Sequence, residues 1–375
     1  MTSPQLGTLA LARGTVDRVT ARRADPDWLE AAWQHPRTRV LLVDDGKALV
    51  REDGEHAELQ FVSPRQAPDG TRLLLGQDAD GAVFFAVPAD IAAATAPAPA
   101  TPAPAGGVSS GPAGGVSSGP AGGVPSGPAG GVPSGPAGGV PSGPAGGVPS
   151  GPAGRVPSAP PAPGGVRAAT LRDVGALLGD RDAGLFVHAV ALANWHAAHT
   201  HCPRCGAATV PGPGGHSARC PADGSEHFPR SDPAVIVLVT DPDDRCLLAR
   251  NAAWPSRRVS ILAGFVEAGE SAEQAVVREV AEETGITVTD VRYVGSQPWP
   301  MPWSLMLGFR AGAAAGQRIA VDHEELAEAR WFSRAGLLAS LRSGEVALPP
   351  PVSIARRIIE SWYGGPLPSA WPAAR

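Results

Sequence analysis

Residues 264–286 read GFVEAGESAEQAVVREVAEETGI. This stretch predicts a helix over 271–284, because apolar residues recur there at helical spacing: Ala275, Val276, Val280 and Ala281. Another face of this helix carries three carboxylates, Glu279, Glu282 and Glu283. Like charges three or four residues apart destabilise a helix by about 0.2–0.5 kcal/mol per pair. This face is therefore either solvated or bound to a cation.

Carboxylates grouped in this way can bind a hard divalent cation. Mg²⁺ and Mn²⁺ prefer oxygen ligands and keep coordination positions for water and substrate phosphate. Glutamates are also common on ordinary exposed helix faces, and the spacing alone leaves both interpretations open. At the start of the helix, Glu270 and Ser271 are residue types that satisfy free backbone amides and favour the helix dipole.

The composition limits what the protein can bind. The 375 residues carry a formal net charge of -5, and 18% of them are charged. No overall basic field exists to attract nucleic acid or anionic membrane, so any RNA contact would have to be local. No apolar run reaches the roughly 20 residues of a membrane span, and the N-terminal segment does not resemble a signal peptide. We expect a cytoplasmic protein with no membrane partner.

A change in composition divides the chain. Residues 91–167 are almost wholly Ala, Pro, Gly, Ser and Val, and they repeat the octapeptides GGVSSGPA and GGVPSGPA. These units have no hydrophobic face to offset the entropy lost on ordering, so the stretch is predicted to be a linker. Around it we predict a small, mostly antiparallel β domain over 1–90, a helical segment over 168–200, a zinc-ribbon-like segment over 201–230 and an α+β domain over 231–375.

Three of the four cysteines form a candidate zinc site. Cys202 and Cys205 lie in the sequence CPRCG, and Cys220 follows after fourteen intervening residues. Two cysteines on a tight turn with a glycine behind them suit thiolate coordination. A second CxxC is absent, so Asp223 or His227 could supply the fourth ligand, and a ribbon that holds no ion is the alternative. Either way the role is structural, because no open coordination position lies beside a general base.

Position by position, residues 264–286 resemble the Nudix box. The matching positions are Gly264, Glu270, Arg278, Glu279, Val280, Glu282, Glu283, Gly285 and Ile286. The resemblance implies an α+β fold, the Nudix α/β/α sandwich with a mixed sheet. It implies that Glu279, Glu282 and Glu283 are catalytic and bind Mg²⁺ or Mn²⁺, with one of them helping to deprotonate water. The remaining roles that it implies are cation binding by Glu325 and the carbonyl of Ala263, and bracing of the loop by Glu270 and Arg278.

A second motif narrows the resemblance. SQPWPMPWSLM at 296–306 is similar to the SQPWPFPxSLM motif of the NADH pyrophosphatase (NudC-type) branch, with Met301 in place of the usual Phe and Trp303 at a variable position. The CPRCG knuckle and HFPRSDPAVI belong to the same pattern. Trp299, Phe265 and Phe228 offer flat apolar surfaces for a nicotinamide or adenine ring. The substrate contacts that we expect from the resemblance and from these ring surfaces are Arg172, Phe228, Phe265, Ser296, Gln297, Pro298, Trp299, Pro300, Met301, Pro302, Trp303 and Ala355.

The resemblance implies a metal-dependent hydrolase of NADH or NAD⁺ that yields a nicotinamide mononucleotide and AMP. On NAD-capped RNA the same cleavage would leave a 5′-monophosphate end, and the family's homodimers imply a homodimer here. One alternative is a Nudix enzyme for another nucleoside diphosphate derivative, against which the SQPWP sequence argues. The other is a non-catalytic nucleotide sensor, against which the complete set of glutamates argues.

Overall fold

The computed structural model describes residues 6–91 and 165–368. The linker predicted for 91–167 lies outside these residues except at its two ends. At the second end a strand begins at Val166, inside the stretch predicted to be linker. Within the described parts of the chain, no helix combines the length and apolarity needed to cross a membrane.

Two three-stranded sheets form the N-terminal half. Its elements are helix α1 (Pro26–Gln34) and the strands β1 (Arg39–Val43), β2 (Lys47–Glu52), β3 (Ala57–Leu59), β4 (Leu73–Gln77), β5 (Val83–Pro88) and β6 (Val166–Thr170). Strand β5 lies between β1, which is parallel to it, and β4, which is antiparallel. Strand β2 lies antiparallel between β3 and β6. The N-terminal β-rich part predicted from the sequence is present, and one of its strands follows the octapeptide repeat.

Helices α2 (Leu171–Val174) and α3 (Asp180–Ala198) lie within residues 168–200, where the sequence predicts a helical segment. The buried side of α3 packs into the same hydrophobic core as β2, β4 and β5. The buried carboxylate of Asp182 also accepts a hydrogen bond from Leu59 N at 3.0 Å, which ties α3 to β3. Helix α3 is therefore an integral part of the N-terminal half.

A six-stranded mixed sheet and three helices follow a small ribbon of three short strands. The ribbon strands are β7 (Val210–Pro211), β8 (Ala218–Arg219) and β9 (Glu226–His227). The elements of the larger domain are β10 (Asp232–Thr240), β11 (Cys246–Asn251), β12 (Leu262–Phe265), α4 (Ala272–Thr284), β13 (Val288–Trp299), β14 (Ser304–Ala313), β15 (Leu326–Phe332), α5 (Arg334–Arg342) and α6 (Ile354–Tyr363). The order of the strands in its sheet is β13-β14-β10-β11-β15, with β12 also paired to β10.

Alternate residues of β10 face opposite layers of this domain. Val235 and Val237 share a core with the apolar side of α4. Ile236 and Leu238 share another core with buried residues of α5 and α6. Because successive side chains of a strand point to opposite faces, one apolar strand can support helices on both sides. The domain is an α/β/α sandwich with a mixed sheet, as the sequence predicts.

Candidate active site

The residues that flank helix α4, Ser271 and Gly285, cap its two ends. Ser271 Oγ accepts a hydrogen bond from Gln274 N (3.2 Å), and Gln274 Oε1 accepts one from Ser271 N (3.0 Å), which together form a capping box. Gly285 follows the helix in the left-handed region, with a φ of 68°, where glycine is favoured. The helix spans Ala272–Thr284, in agreement with the predicted 271–284.

Arg278 ties α4 to the loop that precedes it. Its Nε and Nη2 atoms donate to the two carboxylate oxygens of Glu270, each at 2.9 Å, and Nη2 also donates to the Phe265 carbonyl at 2.9 Å. Its Nη1 atom lies 3.0 Å from an oxygen of Glu279 and 3.0 Å from one of Glu282. A bidentate pair fixes orientation as well as distance. This guanidinium braces the loop and offsets part of the repulsion among the glutamates.

Gly264 leaves room for the carboxylate of Glu279. A Cβ atom at position 264 would lie 1.9 Å from both Cδ and Oε1 of Glu279. Glu279 is 8% exposed, and its carboxylate rests on the backbone of β12. Ala263, whose carbonyl the resemblance implicates in cation binding, is the preceding residue of that strand. The close approach therefore brings the Ala263 position and a carboxylate of α4 together.

Glu283 lies one turn further along α4 and is 7% exposed. Its Oε2 atom is buried and has no hydrogen-bond partner among the residues that the structure describes. Burial, and then the negative charges of Glu279 and Glu325, raise the pKa of Glu283 to about 8. A buried polar atom without a partner is destabilising, and its charged neighbours here are also carboxylates. A divalent cation with oxygen ligands fits this donor set.

Glu325 lies in the loop before β15, and its charge acts on Glu283. Asp322 N donates to the Glu283 carbonyl at 3.1 Å, which holds that loop against the end of α4. Burial, and then the charge of Asp322, raise the pKa of half-buried Glu325. Burial is also the main cause of the raised pKa of Glu279. The negative charges of Glu279, Glu282 and Glu325 thus all act on Glu283, and Glu282 is the exposed member, with 53% of its side chain accessible.

The raised pKa of Glu283 predicts a pH-dependent stability for the cation-free protein. The folded protein holds a proton that the unfolded chain releases near the ordinary value of 4.5. The stabilising contribution is therefore complete below about pH 4.5 and is lost as the pH rises through about 8. We expect the free energy of unfolding in urea, measured without divalent cation, to fall by about 2–4 kcal/mol more in the wild type than in Glu283→Gln between acidic and alkaline pH.

Added Mn²⁺ should reverse this trend, because the cation binds the deprotonated carboxylate. Its stabilising effect on the wild type should therefore increase with pH. Equal pH dependence of the wild type and Glu283→Gln would contradict the assignment of the shift to this carboxyl group.

The SQPWP motif forms the hairpin between β13 and β14. Its first residues, 296–299, end β13, which is an edge strand of the sheet, and a proline at 298 is tolerated because an edge strand needs no outward donor. Trp299 borders both the N-terminal core and the core beneath α5 and α6, and Phe265 borders the second. The guanidinium of Arg172 lies 5.0 Å from the centroid of the Trp299 ring. Pro300 is buried, whereas the half-buried members of the motif are Ser296, Pro298, Trp299, Met301, Pro302 and Trp303.

Three other predicted substrate contacts lie in different surroundings. Gln297 is fully buried, and its side chain accepts a hydrogen bond from Leu11 N (3.4 Å) and donates one to Val352 O (3.0 Å). Ala355 is 1% exposed, in the first turn of α6. Phe228 is 64% exposed. The side chains of Gln297 and Ala355 are enclosed by protein, and that of Phe228 faces solvent. These positions do not by themselves indicate contact with a substrate, so the role of all three as substrate contacts stays a prediction.

Three residues outside the predicted substrate contacts hold this hairpin. Asn194 Nδ2 donates to the Pro300 carbonyl at 2.8 Å. The His199 ring lies edge-on to the Trp303 ring at a centroid distance of 5.5 Å, and Arg230 Cζ lies 5.6 Å from the same ring. The sequence feature that indicates such contacts is the run of prolines. Because a proline has no N–H group, carbonyls in this segment must accept hydrogen bonds from donors elsewhere in the protein. That feature does not reveal which residues supply the donors.

The cysteine segment forms two knuckles with matching backbone geometry. In each one the glycine amide donates to the carbonyl of the first cysteine, at 2.9 Å in residues 202–206 and at 3.0 Å in residues 220–224. The two glycines adopt φ of 75° and 74°, in the left-handed region. CPADG therefore repeats the conformation of CPRCG, with Asp223 at the position of Cys205.

These knuckles bring four potential ligand atoms together. The sulfurs of Cys202, Cys205 and Cys220 and a carboxylate oxygen of Asp223 all lie within 4.8 Å of one another. Asp223 Oδ2 is 3.6 Å from the sulfur of Cys202. Hydrogen bonds, first from the Ser225 hydroxyl, hold the pKa of Asp223 well below its usual range. Three thiolates and one carboxylate are a ligand set that fits a tetrahedral zinc ion.

Three family models match the chain. The NUDIX domain matches residues 230–348, the NADH pyrophosphatase zinc ribbon domain matches residues 197–228, and the NADH pyrophosphatase-like rudimentary NUDIX domain matches residues 37–195. The last match extends from the N-terminal strands into α3. The sandwich, the carboxylate-bearing helix and the matched domain define a protein of the Nudix class.

Curated relatives agree with these matches. The NAD-capped RNA hydrolase NudC of Mycobacterium tuberculosis is 49% identical over 203 residues, which are 52% of this chain and 65% of that protein. The human NAD-capped RNA hydrolase NUDT12 is 41% identical over 197 residues, 49% of this chain and 42% of that protein. The chain thus spans less than two thirds of the length of these relatives. A solved NUDIX hydrolase from Nitrosomonas europaea is 21% identical and covers 45% of this chain and 95% of its own, with a TM-score of 0.35. The chain therefore carries a NUDIX domain preceded by the two domains that these models describe for NADH pyrophosphatases.

Proposed function

We propose that this protein hydrolyses the pyrophosphate bond of NADH and NAD⁺, giving a nicotinamide mononucleotide and AMP, and that it also removes NAD caps from RNA. The observation that carries the proposal is the buried, unpartnered oxygen of Glu283 among other carboxylates. The hairpin that contains Trp299 belongs to the same domain and supports recognition of a flat ring. The names of the relatives in Mycobacterium tuberculosis and human support the choice of substrate.

The cation that we propose is Mg²⁺ or Mn²⁺. When bound, it offsets the charge of the pyrophosphate and lowers the pKa of an attacking water. Oxygen ligands and free coordination positions are what these cations require. Its proposed ligands are the carbonyl of Ala263 and the carboxylates of Glu279, Glu282, Glu283 and Glu325.

The protein's own side chains have separate tasks in this reaction. Glu283 Oε2 accepts no hydrogen bond from any residue in the described parts of the chain, so it is available to accept the proton of the attacking water. The carboxylate of Glu279 is held in one orientation by the Arg278 guanidinium and by its approach to β12. Trp299 and Phe265 offer apolar surfaces against which a nicotinamide or adenine ring can stack. The Arg172 cation over Trp299 adds positive charge beside that surface.

A comparison of substrates tests this proposal. Purified protein with Mn²⁺ is incubated with NADH, NAD⁺, NAD-capped RNA, ADP-ribose and diadenosine polyphosphates, and the products are separated by chromatography. We expect AMP and a nicotinamide mononucleotide from NADH, with a kcat/KM at least about tenfold above that for ADP-ribose, which lacks the nicotinamide ring. Binding of NADH without release of AMP would instead indicate a nucleotide sensor.

We further propose that the two knuckles hold a structural zinc ion with Asp223 as the fourth ligand. Ser225 N and Oγ both donate to Asp223 Oδ1, at 2.9 and 2.5 Å. The other carboxylate oxygen, Asp223 Oδ2, faces the sulfur of Cys202. The His227 ring, the other candidate from the sequence, bonds to the Ser225 hydroxyl at 3.1 Å. His227 therefore supports Asp223 through Ser225 in this proposal.

Measurements of zinc binding distinguish between Asp223 and His227 as the fourth ligand. We expect about one zinc per chain by elemental analysis and a similar content in Asp223→Cys, because cysteine restores the usual four-thiolate site. Asp223→Ala should weaken zinc binding at least about 100-fold in a chelator competition, since even residues that only support a ligand contribute 10- to 100-fold. His227→Gln should weaken it less than Asp223→Ala does. Full zinc retention by Asp223→Ala would contradict the assignment.

We also propose how the protein is organised. The resemblance supports a homodimer, and the composition supports a cytoplasmic location and a division of the chain into the parts predicted from the sequence, with the octapeptide-repeat stretch as a linker. Light scattering on the purified protein tests the dimer, and limited proteolysis followed by mass spectrometry tests the linker, where cleavage is expected first.

A further inference from the structure

The connection between β13 and β14 contains few hydrogen-bond donors. Its residues are Pro300, Met301, Pro302 and Trp303, and a proline has no backbone N–H. Met301 N donates to the Trp299 carbonyl at 2.7 Å. Carbonyls that are partly buried in such a segment need donors from other parts of the protein.

Those donors come from two neighbouring elements. Asn194 Nδ2, on helix α3, donates to the Pro300 carbonyl at 2.8 Å and to the Pro302 carbonyl at 3.3 Å. Asp232 N, at the start of β10, donates to the Trp303 carbonyl at 2.9 Å. A single amide group from the N-terminal half therefore bonds both proline carbonyls of the connection.

Helix α3 contacts the connection at a second point. The ring of His199, directly after the helix, is stacked on the Trp195 ring at 5.8 Å and lies edge-on to the Trp303 ring at 5.5 Å. Trp195 is 2% exposed and is therefore a fixed platform within α3. Because α3 is anchored in the N-terminal core, these contacts hold the hairpin against a rigid element.

We infer that Asn194 is a positioning residue for substrate binding: it fixes the connection at 300–303 and with it the ring of Trp299. The inference rests on the function proposed above. In the structure, Asn194 bonds to the hairpin and not to the carboxylates of α4. Its loss should therefore affect KM for NADH, which reflects how the ring is held, much more than kcat, which depends on the carboxylates.

Two substitutions separate hydrogen bonding from packing at this position. Asn194→Ala removes the donor, and Asn194→Asp keeps the shape but directs a carboxylate oxygen towards the two carbonyls. We expect KM for NADH to rise about tenfold in Asn194→Ala and at least as much in Asn194→Asp, with kcat within about twofold of the wild type. A residue that only filled space would tolerate the aspartate.

A matched control is Gln317→Ala. The Gln317 side chain also braces a turn, bonding to Thr287 N at 2.7 Å and Thr287 O at 2.8 Å, away from the hairpin. This variant should lose stability but keep the wild-type KM. Folding of every variant is checked by thermal unfolding with and without Mn²⁺, and the Mn²⁺-induced shift should match the wild type in the Asn194 variants.

NADH binding is also measured without turnover, by nucleotide fluorescence in a Glu283→Gln background. The dissociation constant should rise about tenfold when Asn194→Ala is added. An active wild type with unchanged KM and unchanged NADH affinity in both Asn194 variants would overturn the inference and leave the proposed function intact. A wild type that neither binds nor cleaves NADH would overturn both. An equal effect of Gln317→Ala on KM would also overturn the inference.

Discussion

Glu283→Gln is expected to lower kcat for NADH hydrolysis about 10³-fold, within the 10²- to 10⁴-fold range of a lost general base. The substitution keeps the shape of the side chain but removes an acceptor that is buried, unpartnered and surrounded by carboxylates. The same change should stabilise the cation-free protein at alkaline pH, because it removes a charge that burial disfavours. Steady-state kinetics with Mn²⁺ and urea unfolding without it measure the two effects on one variant.

The matched control is Glu273→Gln on the same helix. Glu273 is exposed in the first turn of α4, whereas Glu279 and Glu283 are buried in later turns. We expect its kcat to remain within about twofold of the wild type, because surface substitutions away from a site usually have small effects. Full activity of Glu283→Gln, or an equal loss in Glu273→Gln, would contradict the placement of the cation site on the buried face.

Gly264→Ala is expected to disrupt the site by steric displacement. The new Cβ atom would lie 1.9 Å from Cδ of Glu279, so either the carboxylate or strand β12 must move. Overpacking of this kind destabilises a protein by about 1–3 kcal/mol. A displaced catalytic group commonly lowers activity about 100-fold, and we expect that loss in kcat. Urea unfolding and NADH kinetics with Mn²⁺ measure both.

Gly365→Ala provides a control for the added methyl group. Apart from Gly365 itself and its two chain neighbours, no heavy atom of the described residues lies within 4 Å of a Cβ built at this position, so this variant should keep its stability and its activity. If Gly264→Ala were as active and as stable as Gly365→Ala, Glu279 would not rest on the backbone of β12 in solution.

Local features of the sequence predict much of the Nudix domain. The capping residues Ser271 and Gly285 fix where α4 begins and ends, and both act through neighbours in the chain. The helical period places the glutamates on one face because the spacing of side chains around a helix is constant. The α/β/α sandwich follows from the resemblance of residues 264–286, which the NUDIX match over 230–348 confirms.

Other features depend on residues far apart in the chain. Strand β6 follows the octapeptide repeat but pairs with β2, which precedes it. Gln297 lies within the motif that predicts substrate binding, yet its side chain bonds to Leu11 and Val352. Asn194 belongs to no motif, and its importance arises from its two bonds to the hairpin. No local sequence pattern predicts these contacts, because each one depends on which surfaces meet after folding.

The helix, its carboxylate face and the Nudix domain can be predicted from the sequence, because they follow from residue types at fixed local spacing. The differences among the carboxylates arise from tertiary packing. Burial and neighbouring charge leave Glu283 with a raised pKa and an unpartnered oxygen, whereas Glu282 remains accessible and paired with Arg278. Burial and electrostatic environment are properties of the packed molecule, so identical side chains on one helix can acquire different chemistry.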